Sequence, residues 1–299
     1  MDLGTNTFHL LIVEGDAVLV HRQDPVKLGE GGINKGFIAP EAFERGIQTM
    51  RLFARLIKDH SVTGIRAIAT SALRNASNGQ NFILDVKEKT GIDIEIVDGD
   101  AEAGFIYKGI KAAGCLSAEN SLIVDIGGGS AEFILCNNSD IFWKQSFEIG
   151  AARLMDQFHR TDPIPPDSIN ALALYLEDCL QPLFAAAKKH AVNTMVGSSG
   201  VFESYAGLIE KEKGHSFDLE KTIKYQFDKN ALLALVERIV LSSHQQRLET
   251  AGIIPVRIDM IVTASLLVRF AIKKLHIAQV SMSTYSLKEG VLAEMKVAN

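Results

Sequence analysis

Apolar positions along this chain repeatedly switch between the two-residue period of strands and the period of about 3.6 residues that marks helices. Phe8–Val13 and Val18–Arg22 are strand-like runs that meet across Gly15-Asp16, which predicts a β-hairpin headed by the loop Gly4-Thr5-Asn6-Thr7. Leu28–Ile33 reads as a flexible loop. From Pro40 to Asp59 the residues Phe43, Ile47, Met50, Phe53 and Ile57 share one helical stripe, and Pro40 suits the first turn. Ile65–Ala69 is a short apolar strand running into Thr70-Ser71-Ala72-Leu73-Arg74. A helix over Asn78–Thr90, a strand Ile92–Val97 and a helix over Ala101–Ala113 follow, the last starting at the turn Asp98-Gly99-Asp100. Alternating strands and helices predict an α/β layered fold.

The opening pattern then returns. Leu122–Ile126 is a buried strand entering Gly127-Gly128-Gly129-Ser130, and Glu132–Cys136 and Ile141–Phe147 form the hairpin behind it. Helices dominate Ala151–Ala187, and a short strand Thr194–Val196 enters Gly197-Ser198-Ser199-Gly200. Helices over about 230–250 and 257–273, a strand near Gln279–Ser283 and a terminal helix Ser286–Val297 complete the chain. An acid-x-Gly-polar loop with a hairpin thus occurs twice, at Asp2 and at Asp125, each heading its own α/β half. Such a duplication predicts a cleft between the halves with phosphate held against both loops. The donors would be backbone N–H groups of Gly4, Thr5, Asn6, Thr7, Gly127, Gly128, Gly129 and Ser130, with hydroxyls from Thr5, Thr7 and Ser130. Asp2 and Asp125 stand at strand ends, where a carboxylate can hold a metal ion directly or through water. Taken singly, each loop reads equally as a tight hairpin turn.

Composition narrows the partners. A net charge of -5 argues against broad nucleic-acid binding but not against a phosphorylated ligand in a local N–H nest. Three cysteines without a C-x-x-C pair argue against a disulfide framework or a zinc site, and the eight histidines read as structural or surface residues. With no apolar run of about 18 residues and no signal-like start, neither membrane nor secretion is expected, and a reducing cytoplasm fits.

Several segments together resemble the exopolyphosphatase / guanosine pentaphosphatase family. Asp2-Leu-Gly-Thr-Asn-Thr-Phe-His-Leu-Leu11 is similar to its opening phosphate motif. Thr70-Ser-Ala-Leu-Arg74-Asn-Ala76, Asp98-Gly-Asp-Ala-Glu102-Ala103 and Asp125-Ile-Gly-Gly-Gly-Ser130-Ala-Glu132 resemble three further segments. Gly197–Gly200 and Ser286-Leu-Lys-Glu-Gly290-Val-Leu292 resemble two late ones. The motifs run in family order over nearly the whole chain, which matches the short form without extra C-terminal domains.

The resemblance implies two RNase H-like domains of the actin / hsp70 / sugar-kinase superfamily with an interdomain cleft. The first would span 1–117, completed by the C-terminal helix 286–299, and the second 118–285. It implies Mg²⁺-dependent removal of the terminal phosphate from polyphosphate or guanosine pentaphosphate, with Mn²⁺ able to substitute. A homodimer is plausible by family. Glu102 becomes the general base, Arg74 a phosphate clamp, Asp125 and Glu132 with Asp2 the metal carboxylates, and Gly197-Ser198-Ser199-Gly200 a loop facing a nucleoside.

Read from the residues alone, Glu102 is equally a helix-start carboxylate and Arg74 a surface arginine at a strand end. The chain departs from the family pattern at Asp2, which follows Met1 directly, at Ala101, which replaces a glutamate, at Tyr285, and at Lys288, where an arginine is usual. Tyr285 and Lys288 are expected to lie away from the chemistry. A kinase of the same fold, or a non-catalytic alarmone-binding regulator, would use the same loops.

Overall fold

The computed structural model describes residues 1–298. The first half carries strands β1 (Asp2–Leu3), β2 (Phe8–Glu14), β3 (Ala17–Asp24), β4 (Ile68–Ala69) and β5 (Glu95–Ile96), ordered β3-β2-β1-β4-β5. The second carries β6 (Ser121–Ile126), β7 (Ala131–Cys136), β8 (Ile141–Phe147), β9 (Thr194–Ser198), β10 (Lys224–Phe227) and β11 (Gln279–Ser283), ordered β10-β11-β9-β6-β7-β8. In each half the central strand pairs antiparallel with the hairpin after it and parallel with the next strand. Without the edge strand β10, the second order reads β8-β7-β6-β9-β11 and repeats the first. Two RNase H-like halves of the actin superfamily type are therefore present, as the duplicated loops predict.

The stripe predicted over Pro40–Asp59 is a helix with those bounds, burying Ile47, Met50, Phe53 and Ile57. Strands β4 and β5 are much shorter than the apolar runs suggest, because only two residues of each reach a neighbour. Elements not anticipated include the short helix Ser71–Asn75, the helix Gly200–Glu212 and the edge strand β10. Leu28–Ile33 is not a loose loop. Leu28 is buried, and Gly29 N–H donates to Thr5 O at 3.0 Å.

The helices Gly99–Ala112 and Leu287–Ala298 cross at their glycines. A Cβ on Gly290 would lie 1.8 Å from the Phe105 carbonyl oxygen, and one on Gly109 would lie 2.0 Å from that of Ser286. Only glycine permits this approach. Phe105, Ile106 and Ile110 share a core there with Leu287 and Val291, with Ile68 and Val97 of the first half, and with Ile123, Ile134 and Val196 of the second. The crossing seats the starts of both helices in the cleft between the halves.

Candidate active site

The two predicted loops lie face to face. In the first, Gly4 N–H donates to Thr7 O at 3.2 Å; in the second, Gly127 N–H donates to Ser130 O at 3.0 Å. Neighbouring N–H groups tie the loop carbonyls back. Gly29 and Lys27 donate to Thr5 O and Asn6 O, and Ala151, Ala152 and Gly150 donate to the oxygens of Gly127, Gly128 and Gly129. Among the described residues, the N–H groups of Thr5, Asn6, Gly128 and Gly129 have no backbone acceptor. The loops nearly touch, since a Cβ on Gly129 would sit 2.7 Å from Thr5 Oγ1. All eight predicted phosphate-binding residues line one cleft of about 450 Å³.

One end of the cleft is acidic. Asp98 caps the helix Gly99–Ala112 by accepting from Ala101 N–H at 2.7 Å, which fixes Glu102 in its first turn. Glu102 is buried and accepts from Arg74 Nη1 at 2.9 Å. Burial pushes its pKa up to about 7 against the pull of Arg74, and Asp2 and Asp125 push the same way. Glu132 faces Asp125 across β6 and β7 and accepts from Ser146 Oγ at 2.7 Å. Burial, then Glu102 and Asp125, hold it well above the usual carboxylate range. Asp125 accepts from Ser198 and Ser286, and burial raises its pKa despite both hydroxyls. Asp2 is pushed up to about 6 by burial, with Lys288 opposing.

Buried carboxylates that raise one another's proton affinity are the donor set a hard divalent cation relieves. Among the described residues no three His, Cys, Asp or Glu side chains close a cage on a metal. Mg²⁺ needs only one or two carboxylates, with water and substrate phosphate completing its shell. Asp2, Asp125 and Glu132 fit that demand.

Arg74 is not at a strand end. It sits on a short helix, Ser71–Asn75, because Arg74 N–H closes a helical turn onto Thr70 O at 2.9 Å. From there its guanidinium reaches Val97 O at 3.1 Å, Glu102, and Glu148 at 3.3 Å. Glu148 also accepts from Arg153 at 2.8 Å and Ser71 at 2.8 Å, and Arg153 crosses to Ile33 O at 3.0 Å. This network joins the halves beside the loops. In the late loop, Ser199 and Gly200 line the cleft, while the buried Ser198 serves Asp125. Ser199 holds φ of 73°, a left-handed value costly for serine, and its hydroxyl bonds Ile126 O at 2.9 Å.

Two further expectations need correction. Lys288 lies in the cleft, not away from the chemistry, because it stands in the first turn of Leu287–Ala298, the helix that the glycine crossing seats there. Its ammonium pairs with Glu289 at 3.0 Å. Burial works against its charge, but Glu289, Glu203 and Asp2 outweigh burial and raise its pKa. His9 is not a surface histidine. It lines the cleft, and its buried Nδ1 has no hydrogen-bond partner among the described residues. Burial, then Lys288, His21 and Arg257, hold its pKa well below the usual value. A sequence signal for His9 exists: Asp2↔His9 and Asp125↔Glu132 are matching cross-strand pairs at the same spacing in the two repeats. Glu148 and Arg153 left no comparable signal, since their contacts arise only from tertiary packing.

The far wall of the cleft is apolar, formed by Val201, Ile254, Pro255, Val256, Met260, Ile261 and Ala264. Arg257 lies over Gly200 there and donates to Glu203 at 2.6 Å. No described helix is long and apolar enough to cross a membrane.

This architecture is shared. An exopolyphosphatase from Cytophaga hutchinsonii superposes with a TM-score of 0.95 at 40% identity, covering 98% of this chain and 96% of that one. An exopolyphosphatase-like protein superposes at 0.90 with 24% identity, covering 98% and 97%. An Aquifex aeolicus member of the Ppx/GppA family superposes at 0.81 with 22% identity, covering 99% and 96%. The last two speak for the fold alone. The model of the Ppx/GppA phosphatase family matches residues 12–298, so the chain belongs to the Ppx/GppA phosphatase family.

Proposed function

We propose that this chain removes the terminal phosphate from phosphoanhydride chains, with water as acceptor and Mg²⁺ as cofactor. Membership of the family makes it a phosphoanhydride hydrolase, and exopolyphosphatase activity is the coarse statement that its relatives support. The observation that carries the reading is the pair of facing loops with unengaged N–H groups, beside a buried glutamate poised near neutral pH. The loop N–H groups and hydroxyls hold the terminal phosphate. Arg74 stands behind the cleft lining and orients Glu102, its Nη1 bonded to Glu102 and Val97 O and its Nη2 to Glu148, so its Nε and second Nη2 hydrogen are what it has left for a phosphate oxygen. Glu102, ionised above about pH 7, accepts the proton of the attacking water. Mg²⁺, held by Asp125 and Glu132 with Asp2 nearby, would neutralise charge on the phosphate oxygens.

A specific observation favours nucleotide polyphosphates, guanosine pentaphosphate among them, beside inorganic polyphosphate. The apolar wall from Val201 to Ala264 has no use for a bare phosphate chain and suits a nucleoside. The test measures phosphate release from polyphosphate, guanosine pentaphosphate, ATP and ADP side by side with Mg²⁺. Release without any added acceptor is expected. Turnover that needs a hydroxyl or carboxylate acceptor would make the protein a kinase, and tight binding with no release would make it a sensor.

A further inference from the structure

The duplication places unlike chemistry on the two flanks of the loops. In the first sheet, β5 leads to Glu102 on one side of β1, while β2 presents His9 on the other. In the second sheet, β7 presents Glu132 on one side of β6, while β11 leads to Lys288 on the other. Glu102 and Lys288 stand in the first turns of the two helices that cross at Gly109 and Gly290. Glu132 and His9 hold equivalent register positions. The cleft therefore has an acceptor flank, Glu102 with Glu132, and a donor flank, Lys288 with His9.

Phosphoryl transfer needs the attacking and leaving oxygens roughly in line on opposite sides of the phosphorus. With water activated at Glu102, the departing chain must lie toward the other flank. We infer that Lys288 and His9 form the leaving-group site, where an ammonium and an imidazole N–H receive the charge that develops on the bridging oxygen. This inference rests on the hydrolase reading. In the step, the water oxygen bonds to the terminal phosphorus and gives its proton to Glu102. The bridging P–O bond breaks, and its electron pair stays on the shortened chain beside Lys288. Lys288 suits the task because its side chain is only 13% exposed, so its charge is weakly screened. Glu289 holds it in place at 3.0 Å. His9 suits it because it lines the cleft near Lys288 and its buried Nδ1 is bonded to no protein group, so the ring is not held by a structural hydrogen bond there.

The rival explanation is that Lys288 merely neutralises Asp2. Leaving-group dependence separates the two. The Mg²⁺-loaded enzyme and the variants Lys288→Met, Lys288→Arg and His9→Leu are assayed on tripolyphosphate and on linear triphosphate analogues. Each analogue keeps one P–O–P bridge for cleavage and carries CH₂, CHF or CF₂ at the other, which grades the basicity of the departing group. Lys288→Met should lose kcat on tripolyphosphate by roughly 10²-fold, the scale of one lost transition-state donor, with KM within a few fold. His9→Leu should lose about tenfold. In both, kcat should depend more steeply on leaving-group basicity than in wild type, and Lys288→Arg should restore much of the loss. A rise in KM with kcat unchanged, or an equal loss across the graded series, would overturn the assignment. If wild type releases no phosphate even from tripolyphosphate, the hydrolase reading fails instead.

Discussion

Replacing Glu102 by Gln should make the protein more stable and far less active at the same pH. The carboxyl is 6% exposed, and its pKa rises from 4.5 to about 7 because burial penalises the ionised form. A folded-state pKa raised above the unfolded value gives stability that is present below about pH 4.5 and lost as pH climbs through about 7. At about 1.4 kcal/mol per unit, ionised Glu102 costs the fold at most about 3 kcal/mol above neutrality. Glutamine keeps the size, and its side-chain oxygen still accepts from Arg74, but it carries no charge to desolvate. Melting in metal-free buffer at pH 8 should therefore rise by roughly 5 °C, and the gain should vanish near pH 4. Over the same series kcat on polyphosphate should fall roughly 10²–10⁴-fold, the contribution of a general base. Turnover near wild type would end the assignment of the base. A loss of stability at pH 8 would show that the ionised carboxylate holds the cleft together, and the burial argument would be wrong.

The other predictions address the clamp, the metal and the chain. Arg74→Lys cannot reach Val97 O, Glu102 and Glu148 with one ammonium, so kcat/KM should drop about 10–100-fold; unchanged kinetics would reduce Arg74 to a structural strut. EDTA should abolish turnover and Mg²⁺ or Mn²⁺ restore it, and Asp125→Asn should raise the metal concentration for half activity about tenfold; full activity in chelated buffer would exclude the metal role. Long polyphosphate should be cut distributively, because a chain of net charge -5 whose phosphate loops line a cleft of about 450 Å³ grips few phosphates there. A descending ladder on a gel is expected, whereas conversion to orthophosphate without intermediates would reveal a basic track beyond the cleft.

The duplicated loops were legible because their identity depends on local chemistry. The acid, glycine and hydroxyl spacing of Asp2–Thr7 recurs at Asp125–Ser130, and short apolar runs bounded by turn residues mark both hairpins. The helix start at Asp98 was legible, but Glu102 was singled out only by the resemblance of Asp98–Ala103 to a family segment, since a carboxylate in a first helical turn is ordinary. Strand lengths were not legible, because β4 and β5 end where their neighbours end, and apolar runs such as Ile92–Val97 carry no trace of that. The helix Gly200–Glu212 hid behind Gly197-Ser198-Ser199-Gly200, whose turn chemistry masks the apolar stripe of Val201, Tyr205, Leu208 and Ile209. Lys288 was marked only as a departure from the family pattern and was expected to lie away from the chemistry. Its burial depends on two glycines, Gly109 and Gly290, meeting across the chain, which no local window contains.

The central claim is that water attacks the terminal phosphorus of a phosphoanhydride chain between the two loops. Oxygen-18 water tests it directly, with polyphosphate and Mg²⁺ as the only other reactants. The account predicts that each released orthophosphate carries one labelled oxygen and that the shortened chain carries none, with release collapsing in Glu102→Gln. Label on the remaining chain, or no release until a second acceptor is supplied, would contradict it.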